Sequence, residues 1–236
     1  MDTHKVQLAR QIYVYLAALF ITSLVVSNLI FQKFFYWYPF DIKIFGASLF
    51  ELSVGILPYP ITFLITDLIS EIYGQKKANQ VVIAGIFASI FSILIVVIAD
   101  AVPAIENSPV NDRIFTNVFS NSPLAVLASM ISYLFAQLID IRIYHFWKRF
   151  TKGRHLWLRN NFSTFSSQFI DSFSVILLLS IFEILPWDSF LGLVLSAFIF
   201  KVLIALLDTP FLYLFVSFFR NKFGLDNGEE INLDDE

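Results

Sequence analysis

The chain has 236 residues, 57% of them hydrophobic and only 15% charged, with a mean hydropathy of +0.72 and a formal net charge of −3. A soluble domain carries about 25% charged residues, so this composition excludes a water-soluble globular fold and predicts an all-α polytopic membrane protein folded as one bundle. There are no cysteines, which excludes disulfides, iron–sulfur clusters and thiolate metal sites. His4, His145 and His155 are not at metal-ligand spacing, and neither a phosphate-binding loop nor a dinucleotide fingerprint occurs. No cofactor, metal site or nucleic-acid partner is therefore expected; the lipid bilayer is, and homo-oligomerisation is left open.

A bilayer-crossing helix needs roughly 20 apolar residues. Six candidate spans follow in chain order, over about 11–32, 45–74, 79–102, 122–147, 161–185 and 189–219. The first, apolar from Tyr13 to Phe31, lacks a small-residue cleavage site and is expected to be retained. The second holds Gly55, Pro58 and Pro60. Proline cannot donate a helix hydrogen bond, so this span is expected to be broken, with 45–57 a half-helix or re-entrant piece leading into a helix at about 60–74, or else to hold a simple proline kink.

Basic residues set the orientation. Lys5, Arg10, Lys76, Lys77, Arg142, Lys148, Arg149, Lys152, Arg154, Arg159, Arg220 and Lys222 all fall on one side, whereas only Lys33, Lys43 and Arg113 fall on the other. Both termini are therefore expected in the cytoplasm. The six-span domain covers 1–223. Residues 224–236 hold Asp226, Glu229, Glu230, Asp234, Asp235 and Glu236 and read as an acidic, disordered, solvated tail.

The functional signal is the charge left inside the spans. Asp67, Glu71, Asp140, Asp171, Lys201 and Asp208 lie in or at the ends of apolar runs, where an ionisable side chain is expensive and marks a pathway or a partner. Asp67 and Glu71 are four apart and share a helix face, as do Lys201 and Asp208, seven apart. Gln137 with Asp140, and Gln168 with Asp171, twice place an amide beside a carboxylate at i,i+3 spacing. Asn161, Ser163, Thr164 and Ser167 extend the polar stripe of the fifth span. Together these predict a lined pocket.

Carboxylates accept from N–H donors, and amides accept and donate at once, so the set suits a planar base with amino and ring N–H donors beside a carbonyl. Tyr73, Phe165 or Phe169 would stack on it. A lone cation would leave the amides and hydroxyls unexplained. Structural alternatives stand beside this reading. Glu71 could answer Lys76 or Lys77, Asp140 could pair with Arg142 or Arg149, and Lys201 with Asp208. Asp171 has no basic neighbour in sequence.

The motifs resemble one family. Thr66-Asp67, then Glu71-x-Tyr73-Gly74-x-Lys76-x-Ala78, is similar to the signature of the queuosine precursor transporters, also called the vitamin uptake transporter family. Gln137-x-x-Asp140, Leu156-Trp157-x-Arg159-Asn160, Ser163-Thr164 and Gln168-x-x-Asp171 agree in order, as do Asn28 followed by Lys33, and Lys201 preceding Thr209-Pro210. The resemblance covers roughly 15–220. Ala136 and Tyr59 depart from the pattern. It implies a multi-pass transporter of the bacterial inner membrane that imports 7-deazaguanine precursors of queuosine: 7-cyano-7-deazaguanine, 7-aminomethyl-7-deazaguanine or queuine. It makes Asp67, Glu71, Gln137, Asp140, Asn161, Thr164, Gln168, Asp171 and Lys201 the expected substrate-binding residues. A substrate-binding subunit of an energy-coupled ATP-driven importer is the alternative. An intramembrane aspartyl enzyme ranks below both, so no catalytic residue is assigned.

Overall fold

Six helices long and apolar enough to cross a membrane make up most of the chain in a computed structural model, which describes residues 3–31, 33–36, 43–44, 47–48, 51–120 and 123–233. In chain order the helices are α1 (Thr3–Ile30), α2 (Tyr59–Ile72), α3 (Gly74–Asp100), the short α4 (Asp112–Phe115), α5 (Pro123–Phe150), α6 (Leu156–Ile181) and α7 (Phe190–Phe223). All but α4 are spans. Helices α1, α2 and α3 pack on one another; α5, α6 and α7 form a second group; α2 against α7 and α3 against α5 join the two.

The second span differs from the sequence reading. Its first part is not a half-helix. Residues Glu51–Ser53 pair antiparallel with Phe34–Tyr36, Lys43–Ile44 pairs with Ala47–Ser48, and a single 3-10 turn at Val54–Ile56 follows. Among the described residues the fold is therefore helical apart from two short ribbons. Pro58 caps α2 and Pro60 sits in its first turn, where a missing N–H costs nothing, so the prolines start this helix rather than break it. The apolar stretch they join, Val54–Ile72, is still long enough to cross.

Burial is inverted relative to a soluble protein. Large apolar side chains such as Phe87, Phe91, Leu207 and Leu214 are exposed, as a lipid-facing surface requires, while Thr66, Glu71, Gln137, Arg159, Ser163, Ser167 and Gln168 are fully or almost fully buried. An apolar core of Phe20, Leu24, Ile69, Ile72, Val82, Ile141, Leu212 and Phe219 surrounds this polar interior towards one end.

That end gathers both termini and two of the basic connections. Tyr73 donates to the Ala9 carbonyl (3.0 Å), Tyr13 to the Lys77 carbonyl (3.2 Å), and Arg10 to the Leu233 carbonyl (3.2 Å). The even number of spans and these contacts put the two termini on one side. The segment after α7 does not behave as a solvated tail as far as Leu233. The Ile231 N–H donates to the Ile72 carbonyl (2.7 Å), Glu230 pairs with Lys148 (2.7 Å), and Ile231 and Leu233 are buried. The reason is local: two apolar side chains among the acids find a groove beside the α2–α3 junction. Residues 234–236, which carry three of the tail's acids, lie outside the described residues. Gly228 (φ +85°) makes the approach possible, because a Cβ there would lie 2.9 Å from the Gly153 Cα.

Two expected outcomes follow. Deletion of residues 225–236 should lower the melting temperature of the detergent-purified protein by several degrees, since burying Ile231 and Leu233 contributes about 1.5–3 kcal/mol each at most. Gly228→Val should lower it similarly, by blocking the close backbone approach. An unchanged melting curve in both would show that the segment adds nothing to the bundle.

Candidate functional site

The buried polar residues separate into three levels. The levels can be read along α6, where Arg159, Ser163, Ser167 and Asp171 recur every four residues and so rise about 6 Å per step on nearly one face.

At the level of Arg159, four helices meet on one carboxylate. Glu71 of α2, with no exposure, accepts from Arg159 of α6 and Arg220 of α7 (both 2.5 Å) and from the Tyr144 hydroxyl of α5 (2.8 Å). Lys148 of α5 lies 3.7 Å from Glu71 Oε2 and donates to the Glu71 carbonyl (2.9 Å). Arg159 also donates to the Gly153 and Arg154 carbonyls (2.9 Å each), and its guanidinium stands 5.7 Å from the Tyr144 ring. A buried carboxylate is tolerable only when paired and hydrogen-bonded, and here it is saturated. Glu71 answers neither Lys76 nor Lys77 in this cluster, and it is not brought to a cavity.

The middle level belongs to Asp67 of α2 and Asp140 of α5, both buried. Ser167 donates to Asp140 Oδ1 (2.9 Å), so Asp140 turns inward rather than to Arg142 or Arg149. Gln137 donates to the Thr66 hydroxyl (2.5 Å). Asn161 donates to Thr209 Oγ1 (3.3 Å), tying α6 to α7 just before Pro210. Gln168 is 1% exposed, yet neither end of its amide has a hydrogen-bond partner among the described residues; the Thr164 hydroxyl and Gln137 Oε1 are in the same position. Buried amides normally find partners, so these groups mark a polar interior with hydrogen-bonding capacity to spare.

The third level is the floor of a cavity of about 440 Å³ at the end remote from the termini. Lys201 of α7 forms a salt bridge with Asp171 of α6 (2.5 Å), and its ammonium stands 5.6 Å from the Tyr59 ring. The walls add Ser27, Asn28 and Phe31 of α1 and the residues just after it, Leu52, Ser53 and Ile56 of the ribbon and turn, Ser129 of α5 and Val175 and Leu179 of α6. A mostly apolar cavity with a few convergent polar groups is the usual form of a small-molecule site.

Of the nine residues expected at the site, Asp171 and Lys201 line this cavity and pair with each other. Asp67, Gln137, Asp140, Asn161, Thr164 and Gln168 lie in the polar level beneath it, and Glu71 belongs to the ion cluster. The Lys201–Asp208 pairing is not formed, because Lys201 turns to Asp171. None of Tyr73, Phe165 and Phe169 lines the cavity; the aromatic walls are Tyr59 and Phe31. Asn28, an amide in the outer half of the first span, was visible in the sequence as part of the resemblance. Tyr59 was visible in the sequence only as a departure from the family pattern, and Ser129 carried no signal among so many hydroxyl residues. Arg159 stood in the sequence both among the basic residues of its loop and in the Leu156-Trp157-x-Arg159-Asn160 part of the resemblance, with no role assigned to it.

The family model described as "Putative vitamin uptake transporter" matches residues 53–215. A curated protein of Bacillus subtilis (strain 168), the "Probable queuosine precursor transporter", is 27% identical over 173 residues, which is 73% of this chain and 73% of that protein. No solved structure matches.

Removing one partner of a buried ion pair costs about 3–5 kcal/mol, because it strands the other charge. Arg159→Met and Glu71→Met should each lower the melting temperature sharply in detergent. The double variant should lose clearly less than the sum of the two, since their effects are coupled through one contact. Additive losses would contradict the cluster.

Proposed function

Because the chain belongs to the vitamin uptake transporter family, matched by its model over residues 53–215, we propose that it imports a 7-deazaguanine precursor of queuosine across the bacterial inner membrane. The substrate is 7-cyano-7-deazaguanine, its aminomethyl relative or queuine. The basic, terminus-bearing end faces the cytoplasm, and the cavity opens to the outside.

One observation carries the reading: a carboxylate and an ammonium stand side by side on the floor of a cavity with room for a purine-like base. The guanine-like edge presents a carbonyl oxygen, a ring N–H and an amino group in a row. Asp171 can accept from the two N–H donors, as a carboxylate offers two oxygens, and Lys201 can donate to the carbonyl. The base thus exchanges for the internal ion pair without leaving either charge unpartnered. Tyr59 and Phe31 offer faces for stacking, and Asn28 offers both donor and acceptor to the opposite edge. The relative's name supports the same substrate class.

The test is growth-linked uptake. A strain unable to make the precursor, carrying this protein and supplied with the base at low concentration, should recover queuosine in its tRNA. The purified protein alone in liposomes should take up the base without nucleotide; a strict requirement for added ATPase subunits would favour the energy-coupled importer instead. Asp171→Asn should reduce uptake at least about tenfold at normal membrane levels, since a charged hydrogen bond contributes about 1.5–3 kcal/mol. Unchanged uptake would remove Asp171 from the substrate site. Reporter fusions at both termini should read cytoplasmic, and an external reading at either would reverse the orientation.

A further inference from the structure

Four oxygen-bearing side chains from three helices line one small, otherwise apolar cavity in the polar level. They are Asp67 of α2, Asn160 and Thr164 of α6, and Asp208 of α7. The cavity, of about 10 Å³, has room for a single ion or water molecule. It shares no lining residue with the larger cavity that ends at Asp171 and Lys201. Asp67, Asn160 and Thr164 are 5%, 3% and 2% exposed.

Three of these side chains hold a buried oxygen with no partner among the described residues. The Thr209 hydroxyl gives its hydrogen to the Ala205 carbonyl (2.9 Å) and accepts from the Asn160 amide nitrogen (3.5 Å), which leaves Asn160 Oδ1 unpartnered. A helical threonine can give its hydroxyl to the carbonyl one turn back. On α6 that carbonyl, of Asn160, already accepts from Ser163 (3.0 Å), and Thr164 Oγ1 is unpartnered too. Asp208 Oδ2 is the third. Buried polar atoms normally find partners, so three such atoms on one small cavity point to a ligand.

The charge says which kind. Neither Asp67 nor Asp208 forms a salt bridge among the described residues. The cations at the adjoining levels are taken: Arg159, next to Asn160, pairs with Glu71, and Lys201, two turns from Asp208 on α7, pairs with Asp171. Buried carboxylates are paired or coordinate a metal. A set of oxygens with no nitrogen or sulfur suits a hard cation. Size narrows the choice further. Mg2+ keeps several of its waters, for which this cavity has no room. Ca2+ takes about six to eight oxygens, which four side chains reach only if both carboxylates bind through both oxygens. Na+ sheds its waters more readily and accepts fewer ligands.

We propose that Asp67, Asn160, Thr164 and Asp208 bind one Na+ stripped of its water shell, which joins α2, α6 and α7 in the level between the ion cluster and the base cavity. The ion stands in for the salt-bridge partner that the chain does not supply there. No spacing in the sequence marks the site, because its ligands come from three helices. The site is separate from the base cavity and does not depend on what is transported.

The test is thermal unfolding of the full chain in detergent, with Na+ replacing choline at constant ionic strength. The wild-type melting temperature should climb by several degrees and go on rising with the logarithm of the Na+ concentration. Thr164→Val deletes a hydroxyl that has no protein partner, so in choline it should melt no lower than the wild type. It should need at least about tenfold more Na+ for the same gain. Asp208→Asn removes an unpaired charge, so it should be at least as stable as the wild type in choline and should lose the Na+ response. Melting that ignores Na+, or an equal rise in the wild type and both variants, overturns the site and leaves the cavity to a water molecule. A response to Ca2+ with none to Na+ overturns the choice of ion. Binding of radiolabelled Na+ to the wild type should saturate at one ion per chain. It keeps the test decisive if a variant does not fold, and absence of saturable binding overturns the proposal.

Discussion

A carboxylate with no exposed surface stays charged within a membrane-spanning bundle only if cations come to it from other helices. Glu71 meets that condition with Arg159, Arg220 and Lys148, and in doing so fixes α2 against α5, α6 and α7 at one end. The rest of the architecture depends on this clamp. It closes the end where both termini lie, and Lys148 carries the closure on to Glu230 and the segment after α7. The cavity forms at the opposite end, where no comparable network of ion pairs joins α1, the short ribbons and α7 among the described residues. Separating the helices at that end would require breaking a set of charged contacts rather than sliding apolar surfaces.

Sequence reading recovered the elements that depend on local composition. Six apolar runs gave six spans, because lipid demands length and hydrophobicity from each helix alone. It also recovered which residues are buried and polar, since Asp67, Asp140, Gln168 and Asp171 stand out within apolar text. It missed pairings that depend on helix rotation and packing. Arg159 meets Glu71 across 88 positions, and Lys201 meets Asp171 across 30. No periodicity within one helix specifies the partner face on another. Lys201 therefore looked like the partner of Asp208, its neighbour on α7, and Glu71 the partner of the nearest lysines.

The other departures have similar causes. Turn chemistry and composition near Pro58 are the same for a broken helix and for a helix that starts there. The choice was made by strand pairing between Phe34–Tyr36 and Glu51–Ser53, a contact with residues far enough away to be invisible to a local window. In the segment after Gly224, the acids dominate the composition, but Ile231 and Leu233 decide the structure, because burial is set by individual side chains rather than by average charge.

The levels of charge also explain why so many acids are tolerated. Glu71 is surrounded by cations and Asp171 has one, so neither depends on protonation to remain buried. Asp67, Asp140 and Asp208 have none among the described residues; Asp140 accepts from Ser167 instead, and Asp67 and Asp208 line a small cavity with Asn160 and Thr164. Adding a lysine at this level would have neutralised the acids permanently. A cavity with a paired carboxylate and ammonium on its floor, an ion clamp towards the opposite end and a buried polar level between them are parts of one arrangement, in which each acid is buried with the partners that its own level supplies.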